Sequence, residues 1–253
     1  MTATAPPADE TPLSAGDGPS RPSRGDRARA VVRGVGELLM TAGVVLLLFV
    51  VYQLFWTNVQ AAQQEQRLTQ GLEQTWQAPP KGKVAPGDPT VAPPVGDAFG
   101  FIWIPRLGKD FRKPIVEGVG LPQLAEGIGH YPGTAMPGQV GNFAVAGHRA
   151  THGEPFRNLD QVRPGDEVVV ETVASYWTYR VDSTEIVLPT KVSVLLPVPN
   201  QPKVKPTQPL ITLTTCNPRW ASYQRLIVYG HLVGKQPKSA GLPPALAGAS
   251  GKA

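Results

Sequence analysis

A thiol, an imidazole and a guanidinium sit at the ends of strand-like runs in this 253-residue chain, and those three groups suffice for acyl transfer. Cys216 is the only cysteine, so no internal disulfide can claim it. It is then a small buried hydrophobe, a link to a second chain, or a thiol kept free for its reactivity. The thiolate is the nucleophile, and an unperturbed thiol with a pKa of about 8.5 is mostly protonated at neutral pH. A nearby imidazolium or guanidinium favours the thiolate. An imidazole also gives a proton to a departing amine and takes one from an incoming amine. A guanidinium can hold a substrate carbonyl as it becomes an oxyanion. His148 and Arg225 are the candidates for those two roles.

Strand periodicity supports the grouping, because alternate side chains share a face. Along 210–216, Ile211 and Leu213 fall on one face, and Thr212, Thr214 and Cys216 on the other. The cysteine thus ends a row of threonines rather than a row of aliphatic core residues. Along 142–148, Phe143 and Val145 share one face. Ala144, Ala146 and His148 share the other, where small side chains leave room for a ligand. Arg225 opens a strand nine residues after Cys216, so a connecting loop would let both border one groove. The plainer readings are a hydrogen-bonded surface histidine and a solvated or paired arginine. His152, in a glycine-containing loop, is a weaker candidate base. His130 precedes a Tyr-Pro-Gly turn with no chemical context nearby, and His231 reads as a structural residue inside a strand. One cysteine and scattered histidines provide no ligand pair for zinc, so no metal site is expected.

The elements that must position these groups begin near residue 98. Strands are expected at 100–104, 113–117, 142–147, 167–172, 176–182, 184–188, 210–215 and 226–233, with helical turns at 121–127 and 156–162. Short apolar runs broken by Gly, Pro and Asp, in a chain with 27 Gly and 28 Pro, indicate an all-β barrel or sandwich. The folded domain is expected at 98–235, followed by a flexible tail at 236–253.

The residues before 98 differ in kind. Segment 1–37 is expected to be disordered and cytoplasmic, since its first part lacks the apolar content to bury a core. Arg21, Arg24, Arg27, Arg29 and Arg33 lead into 38–56, which carries no charge over 19 residues. That length matches the roughly 20 residues a helix needs to span a bilayer. Tyr52 and Trp56 suit its far interface, and only Arg67 follows it closely. The positive-inside rule then puts the N-terminus in the cytoplasm and the later domain outside the cell membrane. A cleaved signal peptide is the competing reading, with a shorter apolar region of about 7–15 residues. Residues 57–97 are expected to form a stalk and linker: a polar helical extension at 60–77, then an extended Pro-rich spacer at 78–94. The formal net charge is +5, but the basic residues are scattered, with no basic helix for nucleic acid.

At these motifs the chain resembles the sortases, the membrane-anchored cysteine transpeptidases of Gram-positive bacteria. Ala-Val-Ala-Gly-His-Arg at 144–149 resembles the family's histidine segment. Thr-Leu-Thr-Thr-Cys at 212–216 resembles its TLxTC signature, and Arg225 before Leu-Ile-Val-Tyr-Gly its arginine on the following strand. The likeness covers about 98–234. With His-Tyr-Pro-Gly-Thr-Ala at 130–135 and Asn-Pro-Arg after Cys216, it is most similar to class E sortases of high-GC actinobacteria.

The resemblance implies an eight-stranded sortase β-barrel behind a single N-terminal transmembrane helix. It implies catalysis by His148, Cys216 and Arg225, with Thr215 and Tyr131 binding substrate. Arg219 also lies near Cys216, but Arg225 is preferred because it opens the strand. The implied substrate is a sorting signal of the LPxTG kind, with LAxTG as the class E preference. Cys216 would attack the Thr carbonyl, Gly would leave, and a peptidoglycan precursor amine would resolve the thioester. The implied partners are secreted proteins bearing a C-terminal sorting signal, that amine, and the membrane. No organic cofactor is needed, and no acidic cluster for calcium stands out. Two other readings remain: a pilin-polymerising sortase with a Lys amine as acceptor, and a non-enzymatic envelope β-domain that binds a peptide and needs no thiol.

Overall fold

The structure, a computed structural model, describes residues 24–78 and 88–248. The expectations for 1–23, for 79–87 of the spacer and for 249–253 of the tail lie outside the described residues. Eight strands close into one barrel: β1 (Ala98–Trp103), β2 (Arg112–Glu117), β3 (Ile128–His130), β4 (Gly141–Ala146), β5 (Glu167–Glu171), β6 (Ser175–Val187), β7 (Pro209–Asn217) and β8 (Gln224–Pro237). Around the barrel they run β1-β2-β3-β4-β7-β8-β6-β5. The β2–β3 and β4–β7 pairs are parallel and the other six are antiparallel.

The period-two pattern decides which side chains fill the barrel. Phe143 and Val145 of β4 and Ile211 and Leu213 of β7 enter the main apolar cluster with Ile102, Ile115, Val168 and Val170. Thr212 and Thr214 lie on the opposite face, where Thr212 Oγ1 donates to Asn142 Oδ1 at 2.8 Å. That face is covered by the segment 188–208 between β6 and β7. Val194 of this segment accepts a hydrogen bond from Asn142 Nδ2 at 3.2 Å and packs with Val187 and Ile227.

Two strands differ from expectation. The runs at 176–182 and 184–188 are one strand, β6, whose register slips between Val181 and Ser183. Asp182, skipped in the ladder, sits at that bulge, which is why the alternation reads as broken there. β3 has three residues with a central glycine, too short to show an alternation. Of the helical turns, 121–127 becomes helix α2 (Leu121–Glu126), while 156–162 contains only a 3-10 turn at Leu159–Gln161.

Helix α1 spans Arg24–Gln77. Two compact units divide between Val51 and Tyr52. Within α1, Arg27–Tyr52 is long and apolar enough to cross a membrane, with a mean hydropathy of 2.3 and no burial of its side chains. In the second unit, the polar part of α1 lies against β1 and β2. Residues 61, 65, 69, 72 and 76 recur at three- and four-residue steps and so share one helix face. Leu72 is buried with Phe101, Trp103 and Leu246, and the Trp76 ring meets Phe101 edge-on at 5.4 Å. Glu65 pairs with Lys113 at 2.7 Å, and Arg112 bridges Glu73 and Glu171.

The end of the spacer is also tied down. Asp88 accepts from Thr172 Oγ1 at 2.6 Å and Ser175 Oγ at 2.7 Å, and pairs with Lys235 at 3.1 Å. After β8, a 3-10 turn at Pro244–Leu246 buries Leu246 in an apolar notch beside Phe101, Trp103, Val169 and Tyr176. The expected flexible tail is therefore held on the barrel as far as Leu246.

Candidate active site

Strand pairing brings the three chemical groups to one edge of the barrel. β4 and β7 run parallel with Ala146 opposite Thr214. Two residues further along each chain come His148 and Cys216, so both emerge at the same end. Gly147 N donates to Thr214 O at 3.1 Å and carries the pairing one step past β4. β8 runs antiparallel to β7 and sets Arg225 opposite Cys216. Directly opposed residues have Cβ atoms about 5 Å apart. The order β4-β7-β8 thus puts the imidazole residue on one side of the thiol residue and the guanidinium residue on the other.

Local packing fixes the histidine segment. A Cβ on Gly147 would lie 2.7 Å from the Phe156 ring, so the ring packs there only because that position is glycine. Phe156 N donates to His148 O at 2.9 Å. Thr215 Oγ1 donates to Gly147 O at 2.7 Å. Arg149 is buried, and its Nη1 donates to Asn217 Oδ1 at 2.6 Å and Cys216 O at 3.3 Å. Its Nη2 pairs with Asp160 at 3.1 Å. Residues on both sides of His148 therefore grip the strand end that carries the thiol.

The imidazole is held neutral. Burial, and secondarily the charge on His152, pushes the His148 pKa below the ordinary imidazole value. The two rings stack at 4.8 Å with 27° between their planes. Two positive charges at that separation repel, which adds to the cost of a charge on His148. His148 Nε2 is buried and makes no hydrogen bond among the described residues, which leaves it open to a proton.

One cavity borders the thiol and a second borders Arg225. The first, of about 300 Å³, is lined by His148, Cys216, Arg219, Trp220 and Ser222. The other, of about 250 Å³, is lined by Tyr131, Thr214, Arg225, Leu188, Val192 and Leu195. Arg225 Nη1 donates to Ser222 O at 2.7 Å and Gln224 O at 2.9 Å, which anchors its side chain between them. Larger cavities, of about 560 and 530 Å³, lie against α1 and against β6, and neither contains the thiol.

A sortase-domain family profile matches residues 102–233, a span that includes His148, Cys216 and Arg225. The chain belongs to the sortase family. It is 43% identical over 222 residues to Sortase SrtE1 of Streptomyces coelicolor, covering 85% of this chain and 60% of that protein's length. It is 35% identical over 231 residues to Sortase SrtE2 of the same organism, covering 86% of this chain and 87% of that one. Among solved structures, sortase E from Streptomyces avermitilis aligns with a TM-score of 0.56 at 45% identity, covering 60% of this chain and 98% of that one. Class E actinobacterial enzymes are thus among its relatives, and the sortase family is one of cysteine transpeptidases.

In this sortase, Tyr131 lines the Arg225 cavity, and its hydroxyl meets Thr214 Oγ1 at 3.1 Å. Thr215 is placed differently. It is buried, its hydroxyl is committed to Gly147 O, and it borders neither of the two cavities. Thr214, two residues before Cys216 and on its face, is the threonine that reaches a cavity. His130 is buried between Glu117 at 2.6 Å and Thr134 at 2.9 Å, partners that lie on β2 and in the turn after β3. His231 pairs with Asp182 at 2.7 Å. Sequence reasoning passed over Arg149 and Trp220. Arg149 adjoins the histidine in the motif, which was its one visible signal, and Trp220 had none.

Proposed function

We propose that this sortase cleaves a sorting signal of the LPxTG or LAxTG type between Thr and Gly and transfers the acyl chain to a cell-wall precursor amine. The observation that supports it most is the adjacency of β4, β7 and β8, with Arg225 opposite Cys216 and His148 two residues past the Ala146–Thr214 pair. The sulfur of Cys216 attacks the Thr carbonyl carbon while its proton passes to His148. The carbonyl oxygen becomes an oxyanion, which the Arg225 guanidinium stabilises. Collapse breaks the C–N bond, and His148 returns the proton to the Gly nitrogen as it departs. The acceptor amine then attacks the thioester, His148 takes its proton, and Cys216 leaves with its electron pair.

The cavities suit the two halves of the substrate. The acyl half fits beside Arg225, where Leu188, Val192 and Leu195 offer an apolar wall to the leucine of the signal. The amine half belongs beside His148. A crystal structure of Sortase E1 from Streptomyces coelicolor holds a tripeptide in its active site, which supports a peptide substrate here. In the same reading, 38–56 anchors the chain in the cell membrane, 98–235 is the catalytic domain outside it, and the clients are secreted proteins with C-terminal signals.

The test is product analysis with LAxTG and LPxTG peptides plus an amine. Wild-type protein should release the Gly-containing fragment and yield the new amide. Cys216→Ala should do neither, and His148→Gln and Arg225→Gln should slow turnover about 100-fold or more. Undiminished transfer by Cys216→Ala would reject the mechanism.

A further inference from the structure

The cavity on the His148 side of the thiol holds a cation that the chemistry above leaves unused. Arg219 lies in the connection between β7 and β8 and lines that cavity with His148, Cys216 and Trp220. Its Nη2 donates to Arg157 O and to Asn158 Oδ1, each at 2.9 Å. Both acceptors are neutral oxygens, and among the described residues no carboxylate pairs with Arg219. Its neighbours differ. Arg149 pairs with Asp160 at 3.1 Å, and Arg157 with Glu154 at 2.5 Å. The two acids of this wall are therefore taken, and one positive charge is left over.

A guanidinium offers five N–H donors in a planar fork that matches a carboxylate. The two bonds made through Nη2 leave donors for a ligand. Arg219 is half-buried, so an anion reaching it is partly removed from water, where a charge-assisted hydrogen bond is worth more. Trp220 is 72% exposed at the same rim and offers an apolar surface beside the charge.

We propose that Arg219 binds a carboxylate on the amine side of the bond that this sortase breaks and remakes. The inference rests on the transpeptidation reading above. In that reading both the departing and the arriving nitrogen exchange a proton with His148, so whatever lies beyond the nitrogen meets Arg219. The carboxylate has two sources: an acidic residue after the Gly of the departing segment, or an acid group carried by the acceptor near its amine.

The experiment uses the full chain in detergent, as wild type, Arg219→Gln and Arg219→Lys. The first arm measures release of the amine fragment from peptides with Glu or Gln after LAxTG. The second measures how the thioester partitions among glycylglycine, glycylglycine amide and water. Wild type should prefer the carboxylate partner about tenfold in one arm, the size of one good charge-assisted bond. Arg219→Gln should erase that preference while its rates with the neutral partners stay within about twofold of wild type. Arg219→Lys should keep part of the preference, and added salt should weaken it in wild type. Preference in the first arm alone assigns the departing segment, and preference in the second alone assigns the acceptor. No charge preference in either arm, or one that survives in Arg219→Gln, overturns the proposal while leaving the transpeptidase reading intact. No fragment release from any peptide overturns both.

Discussion

Burial and the stacked His152 both oppose a charge on His148. Its folded pKa lies below the ordinary value of about 6.5, so the unfolded chain binds this proton more readily. The stability gained by keeping the ring neutral is fully present above about pH 6.5 and is lost as pH falls from there toward the folded pKa. Thermal melts of wild type and His148→Gln between pH 7.5 and 5.5 should therefore diverge, with wild type losing more on the acid side. Parallel curves would contradict the lowered pKa. Arg149 holds the same site through backbone and side-chain oxygens. Arg149→Met strands Asn217 Oδ1 and the Cys216 carbonyl and should lower stability by about 2 kcal/mol in urea titrations. An unchanged midpoint would mean the strand end holds its shape without that clamp.

At the scale of elements, the parallel β4–β7 pair is what converts two distant motifs into one site. Gly147 sits at the exit of β4 under the Phe156 ring, where an added methyl has no room. We expect Gly147→Ala to cost about 1–3 kcal/mol of stability by overpacking and to displace His148. Turnover should fall at least tenfold while Cys216 still reacts with a small alkylating agent; loss of both would indicate general collapse instead. Residues 59–77 of α1 pack on the barrel. A chain starting at 88 should be less stable than one starting at 59 by about 3 kcal/mol, given the burial of Leu72 and the cover from Trp76. Equal urea midpoints would show that the docked helix contributes nothing.

Much of this site was legible from alternation and motif. The faces of β4 and β7 followed from Phe143, Val145, Ile211 and Leu213 against small and hydroxylated residues, and that alone put Cys216 and Thr214 together. The parallel pairing itself was not legible, because it joins segments more than sixty residues apart with no local signature. β3 escaped because three residues with a central glycine show no period. The docking face of α1 escaped because Glu65 and Thr69 interrupt its apolar residues and bind through polar contacts. The burial of His130 came from Glu117 on a neighbouring strand, which sequence adjacency does not reveal.

For the whole molecule, α1 offers one membrane-compatible segment, and Arg24, Arg27, Arg29 and Arg33 cluster at its start. In the proposed reading, the positive-inside rule turns the barrel outward. Protease added to intact cells should remove the barrel, and full protection would reverse that orientation. The central claim concerns the sulfur of Cys216 and is tested most directly by intact mass spectrometry of the full chain mixed with an LAxTG peptide. The account predicts an added mass equal to the acyl part of the peptide, lost on addition of an amine and absent from Cys216→Ala. Peptide cleavage with no such adduct on wild type, or an equal adduct on Cys216→Ala, would contradict it.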